Sequence, residues 1–193
     1  EEKKVQSTMW LCRLIETIGY GDGSAVNQAL IGGNTEIVKM LLGIEGVEVK
    51  DKDHALHVAC NNNHSEIVEF LLNLNGIDVN KRDAVGDTLL FKACLRNTNS
   101  SREVVKVLLK AKGITCRVNM RNGSGITPLI SACRNGHLET VKLLLNAKSI
   151  DVNLRGGFPE MSPLNTAREK NHDAIVQLLQ SAGATEKTCC HVQ

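Results

Sequence analysis

An all-α solenoid of helix-turn-helix units joined by short extended fingers is the fold this sequence predicts, and three observations predict it. One phrase recurs: a small pair, two variable residues, a turn residue, then an apolar run closed by leucines. It reads ALIGGNTEIVKMLL from Ala29, ACNNNHSEIVEFLL from Ala59, ACLRNTNSSREVVKVLL from Ala93, ACRNGHLETVKLLL from Ala132 and AREKNHDAIVQLLQ from Ala167. The copies keep step, since Val38, Val68, Val105, Val141 and Val176 follow one another at 30, 37, 36 and 35 residues. A period of that size marks units that bury their apolar faces only against their neighbours. The composition agrees: 42% of residues are hydrophobic but 3% aromatic, which suits Leu/Val/Ala-packed helices better than an aromatic-cored sandwich.

Taken in order, residues 1–21 hold an isolated helix, Met9 to Ile18, that caps the first repeat from outside. Five repeats fill residues 22–184, and residues 185–193 are a tail. The first repeat opens at Ser24-Ala25. The second opens at His54-Ala55 after a clipped finger: Val49 to His54 is 5 residues, against 9 for Val79 to Thr88 and for Val118 to Thr127. That clipping predicts a notch. The third opens at Thr88-Leu89 and inserts three residues, around Asn99-Ser100-Ser101, between its helices.

The fourth repeat states the pattern most fully. Thr127 is an N-cap hydroxyl before Pro128, whose missing N–H costs nothing at the first helical position. Leu129, Ala132 and Cys133 mark the buried stripe of a short helix, and Gly136 supplies the positive φ that ends it. Val141, Leu144 and Leu145 define a second helix, and residues 149–153 leave as an extended segment. The fifth finger is one residue longer and carries Gly156-Gly157-Phe158-Pro159.

Seven cysteines are an odd set for a disulfide framework. Cys60, Cys94 and Cys133 share one position in the phrase, where a thiol packs as a small hydrophobe. A reducing, cytoplasmic setting is expected. No run reaches the ~18 apolar residues of a membrane span, and Glu1 to Lys4 does not resemble a signal peptide. The chain begins on Glu rather than Met, as a fragment would. Its net charge of +2 conceals −6 over residues 1–80, +9 over 81–155 and −1 thereafter. The basic middle has two readings: an acidic protein partner or anionic surface, or solvated helix faces carrying Lys106, Lys110 and Lys142.

The segment NGSGITPLISACRNGHLETVKLLLNAKSIDVN, Asn122 to Asn153, resembles the ankyrin repeat family at nearly every anchored position, and the resemblance extends over about residues 22–184. It implies a non-enzymatic protein-binding module without cofactor, acting as a monomer through a concave face of finger tips and first helices. Mapped onto this chain, the family's variable positions are Asn61, Asn62, Leu95, Arg96, Arg134 and Asn135 at the helix ends. On the fingers they are Ala84, Val85 and Asp87, then Gly123, Ser124 and Ile126, then Phe158, Glu160 and Met161. Leu95, Ile126, Phe158 and Met161 are apolar at positions expected to face solvent, which points to a partner. Phe158 has a second reading, folded over the last repeat's core. Arg96 and Arg134, in adjacent repeats, suit pairing with carboxylates across an interface.

Other chemistry finds less support. His54, His57 and Cys60 have a ligand-like spacing, yet the resemblance makes His57 structural and Cys60 core, so no metal is expected. The same resemblance makes His64 and His137 structural. No Ser/His/Asp set, P-loop or carboxylate pair stands out, and the basic stretch lacks the aromatic interleaving of a nucleic-acid binder. The tail Cys190-His191-Val192-Gln193 has the form of a C-a-a-X prenylation box with Cys189 as a palmitoylation site; the alternative is a chance match, and membrane attachment depends on it. A short stack ending so is similar to secreted effectors of intracellular bacteria, without the Leu-Pro opening of an F-box. Asn80 and Asn153 are similar to the target of the ankyrin asparaginyl hydroxylase; the alternative is that they shape finger turns.

Overall fold

The structure, a computed structural model, describes residues 25–42, 52–74, 76–111 and 117–185. The chain forms two compact units, residues 1–77 and 78–193, each built of helices in its described residues. The expected cap helix and tail lie outside the described residues, as does most of the clipped finger with its notch.

The first unit contains α1 (Ala25–Gly32), α2 (Thr35–Leu42), α3 (Lys52–Asn61) and α4 (Ser65–Leu72). Each hairpin closes on itself, α1 on α2 and α3 on α4, and like helices stack, α1 on α3 and α2 on α4. The helical spacing of Leu30, Val38, Leu41, Leu56, Ala59, Ile67, Val68 and Leu71 puts all of them in the buried core. His54 does not open the second repeat as expected. Helix α3 begins two residues earlier, at Lys52, so the residues before His54 join the helix rather than a finger.

The second unit contains α5 (Leu89–Cys94), α6 (Asn99–Lys110), α7 (Pro128–Arg134), α8 (Leu138–Leu145), α9 (Pro163–Glu169) and α10 (Asp173–Ser181). Again α5, α7 and α9 stack as an inner row and α6, α8 and α10 as an outer row. The inner helices start where the sequence directs: the hydroxyls of Thr88, Thr127 and Ser162 accept the N–H groups of Phe91, Ile130 and Asn165. The three-residue insertion does not lie between the helices as expected. Thr98 and Ser101 close a capping box, so Asn99, Ser100 and Ser101 become the first turn of α6, which runs to 12 residues against 8 for α8.

Helical hairpins turn through left-handed residues, Gly33 and Gly136 at φ 73° and Asn63 and Asn171 at φ 61° and 57°. Among the described residues no strand forms; a single bridge pairs Gly156 with Met161.

Candidate functional site

The fingers of the second unit are built from side chains that replace missing backbone partners. Asp83 Oδ1 accepts the N–H groups of Val85 (3.0 Å) and Asp87 (2.9 Å), while the Asp83 N–H donates to the Asp87 carbonyl. Its other oxygen lies 2.5 Å from Lys92 Nζ. Burial works to raise the Asp83 carboxyl, but the hydrogen bond from Lys92, the two backbone N–H groups and the Lys92 charge outweigh it and hold the group below its usual value. One repeat later Asn122 takes the same part, its Oδ1 accepting from Ser124 and Ile126. In the fifth repeat Gly156 and Met161 exchange backbone hydrogen bonds of 3.0 and 3.1 Å.

Successive fingers then lock together. Asn122 Nδ2 donates to Asp87 Oδ1 at 3.0 Å, and the Gly157 N–H donates to the Gly125 carbonyl at 3.0 Å. The backbones approach so closely that a Cβ on Gly123 would lie 2.3 Å from the Val85 oxygen, and one on Gly156 2.3 Å from the Gly125 oxygen. Arg121 reaches across to the Arg155 carbonyl, and Arg155 to the Glu160 carbonyl, each at 2.7 Å. Sequence reasoning missed these braces; the recurrence of arginine ahead of the fingers was the available signal.

On this frame the predicted residues separate. Phe158 is 102% exposed, which removes the reading that it covers the last repeat's core. Val85 at 67% and Leu95 at 44% also face solvent, and Ala84, Gly123, Ser124, Arg96, Arg134, Asn135 and Glu160 are exposed around them. Ile126 and Met161 are not the solvent-facing apolar residues expected: both are half-buried, Ile126 against Gly157 and Met161 in the bridge to Gly156. Asp87 is committed to Asn122 and half-buried, so it shapes the finger rather than projecting from it. Asn61 and Asn62 belong to the first unit; Asn62 folds back onto the Val58 carbonyl.

The remaining polar positions are structural. His64 Nε2 lies 3.0 Å from the Ile31 carbonyl, His137 Nδ1 3.0 Å from that of Cys94, and His172 Nε2 3.3 Å from that of Arg134. Each imidazole thus ties the start of an outer helix to the inner-helix end of the preceding repeat. Cys60, Cys94 and Cys133 are free and buried. Burial pushes the thiols of Cys60 and Cys133 up to about 12, and that of Cys94 upward too. Among the described residues no three His, Cys, Asp or Glu side chains are placed to hold a metal, and no helix is long and apolar enough to cross a membrane. Lys106 and Lys142 pair with Glu103 and Glu139 on their own exposed helices, each at 2.7 Å, which suits solvated faces.

Asn80 and Asn153 donate backbone N–H groups to Asp78 and Asp151, both at 2.9 Å. The Asn153 side chain, instead of bonding within its finger turn, accepts from the Thr185 N–H at 2.8 Å and donates to the Gly183 carbonyl at 3.4 Å. Cys189 and Cys190 lie outside the described residues.

Paired helices stacked in two rows within each unit, with finger loops packed backbone to backbone in the second, define a repeat protein. A family model described as "Ankyrin repeats (3 copies)" matches residues 24–120 and 103–188, and the chain belongs to that family. Ankyrin repeats are generally protein–protein interaction modules and typically carry no catalysis. The mouse serine/threonine-protein kinase TNNI3K is 31% identical over 137 residues, 66% of this chain and 16% of its own length. The Hydra vulgaris tyrosine-protein kinase HTK16 is 36% identical, over 52% of this chain and 12% of its own. The human SMC5-SMC6 complex localization factor protein 1 is 41% identical, over 53% and 9%. This chain therefore spans no more than about a sixth of these relatives.

Proposed function

We propose that this chain binds a protein with an acidic surface through the finger and inner-helix face of its second unit. The observation that carries the reading is Phe158, a fully exposed aromatic on a finger fixed by backbone hydrogen bonds at Gly156, Gly157 and Met161. An ordered apolar side chain has little backbone freedom left to lose on burial, and exposed aromatics anchor interfaces. Val85 and Leu95 add exposed apolar side chains two repeats earlier, on the third repeat's finger and at the end of α5.

Charge supports an acidic partner. The five acidic residues of segment 81–155 are all engaged inside the unit: Asp83 by Lys92, Asp87 by Asn122, Glu103 by Lys106, Glu139 by Lys142 and Asp151 by the Asn153 N–H. The segment keeps its surplus of positive charge, and exposed Arg134 ends α7 beside the fifth finger. A reducing, cytoplasmic setting is supported by three buried free thiols.

The test is affinity capture with the full chain and a Phe158→Ala/Arg134→Glu double variant. Its expected outcome is loss of the captured partner, at least about tenfold in affinity, with an unchanged thermal midpoint. Retention of every partner by a folded double variant would reject this face.

A further inference from the structure

Away from the fingertips, the C-terminal ends of α6 and α8 border a half-open cavity of about 530 Å³. Its floor is apolar: Leu109 and Leu143 are half-buried there and Val118 is buried. Its rim is cationic, with exposed Lys106, Lys110 and Lys148. Lys106 holds Glu103 at 2.7 Å, while Lys110 and Lys148 have no ion-pair partner among the described residues. Lysines near helix C-termini offset the partial negative charge of the last carbonyls. That role explains the cations but not the hollow beneath them, whose size falls in the range of ligand pockets.

We infer that this cavity is a second docking site, distinct from the finger face, for a short acidic segment of a protein partner. One bulky apolar side chain of that segment enters between Leu109 and Leu143, and carboxylates on either side of it meet Lys110 and Lys148. Charge selects the occupant. A neutral apolar segment would leave two ammonium groups at the edge of a drying contact, and a basic one would be repelled. Exposed lysines that stay partly hydrated give specificity and encounter rate, while the leucine floor supplies the contact energy.

The probe is a synthetic peptide carrying one leucine between two pairs of glutamates, titrated into the full methyl-labelled chain and followed by NMR. Saturable shifts are expected at the Leu109, Leu143 and Ala147 methyls. Binding should weaken at least about tenfold in a Lys110→Glu/Lys148→Glu variant and when the peptide's leucine becomes alanine. It should be unchanged by Phe158→Ala, so that failure here is separable from failure of the finger face. Both lysines are exposed, and the variant's thermal midpoint confirms that it folds. The inference is overturned if these methyls do not shift at about millimolar peptide, if the charge-reversed variant binds equally, or if anionic phospholipid vesicles occupy the cavity in place of the peptide.

Discussion

Thr140 lies in the first turn of α8 with no exposed surface, and its hydroxyl reaches no hydrogen-bond partner. In the other four copies of the phrase the same position is Ile37, Ile67, Val104 or Ile175. A buried hydroxyl without a partner costs its desolvation, while its shape is nearly that of valine. Thr140→Val should therefore stabilise the chain by about 1 kcal/mol, read as a higher urea midpoint at constant slope. A lower midpoint would mean that the hydroxyl is satisfied in solution. Aligning the five copies is enough to make this position legible in the sequence, because the other four carry an aliphatic residue there. Asp87 and Ile126 were not legible: both sit where the family varies, and only the neighbouring finger, with Asn122 and Gly157, turns them inward.

At the scale of the element, the fingers show what glycine can conceal. The sequence places Gly156-Gly157 in a lengthened finger and Gly123 at a variable finger position, whereas the structure uses Gly123 and Gly156 as contact surfaces between backbones. Gly156→Ala is expected to cost about 1–3 kcal/mol, because the added Cβ meets both the Gly125 oxygen and the Ile130 side chain. Hydrogen exchange at the Gly157 N–H should accelerate with it, while the first unit keeps its protection. An unaffected Gly157 would show that the fingers part without cost. The insertion at Asn99-Ser100-Ser101, expected between the helices, lies inside α6 for a reason the sequence also conceals. Its polar residues resemble a loop, and only the pairing of Thr98 with Ser101 shows that they begin a helix.

For the molecule as a whole, the periodicity that revealed the fold runs through both compact units alike, so it gave no sign of the division at residues 77 and 78. The buried thiols report on each unit: Cys60 in the first, Cys94 and Cys133 in the second. Lack of access and a raised pKa both suppress alkylation of these three thiols in the native chain at mildly alkaline pH. Labelling at increasing denaturant, located by mass spectrometry, should find Cys94 and Cys133 reacting together and Cys60 on a separate curve. Separation of Cys94 from Cys133 would show that the second unit opens repeat by repeat.

The three histidine contacts all point one way along the chain. His64, His137 and His172 each hold a carbonyl that was made before them, at Ile31, Cys94 and Arg134. During synthesis the carbonyl at the end of an inner helix therefore gains its imidazole partner only when the next hairpin follows. Assembly thus carries a direction in time, each newcomer completing its elder, so a pause in translation just ahead of His137 would leave the hairpin of α5 and α6 without the bond that fastens it.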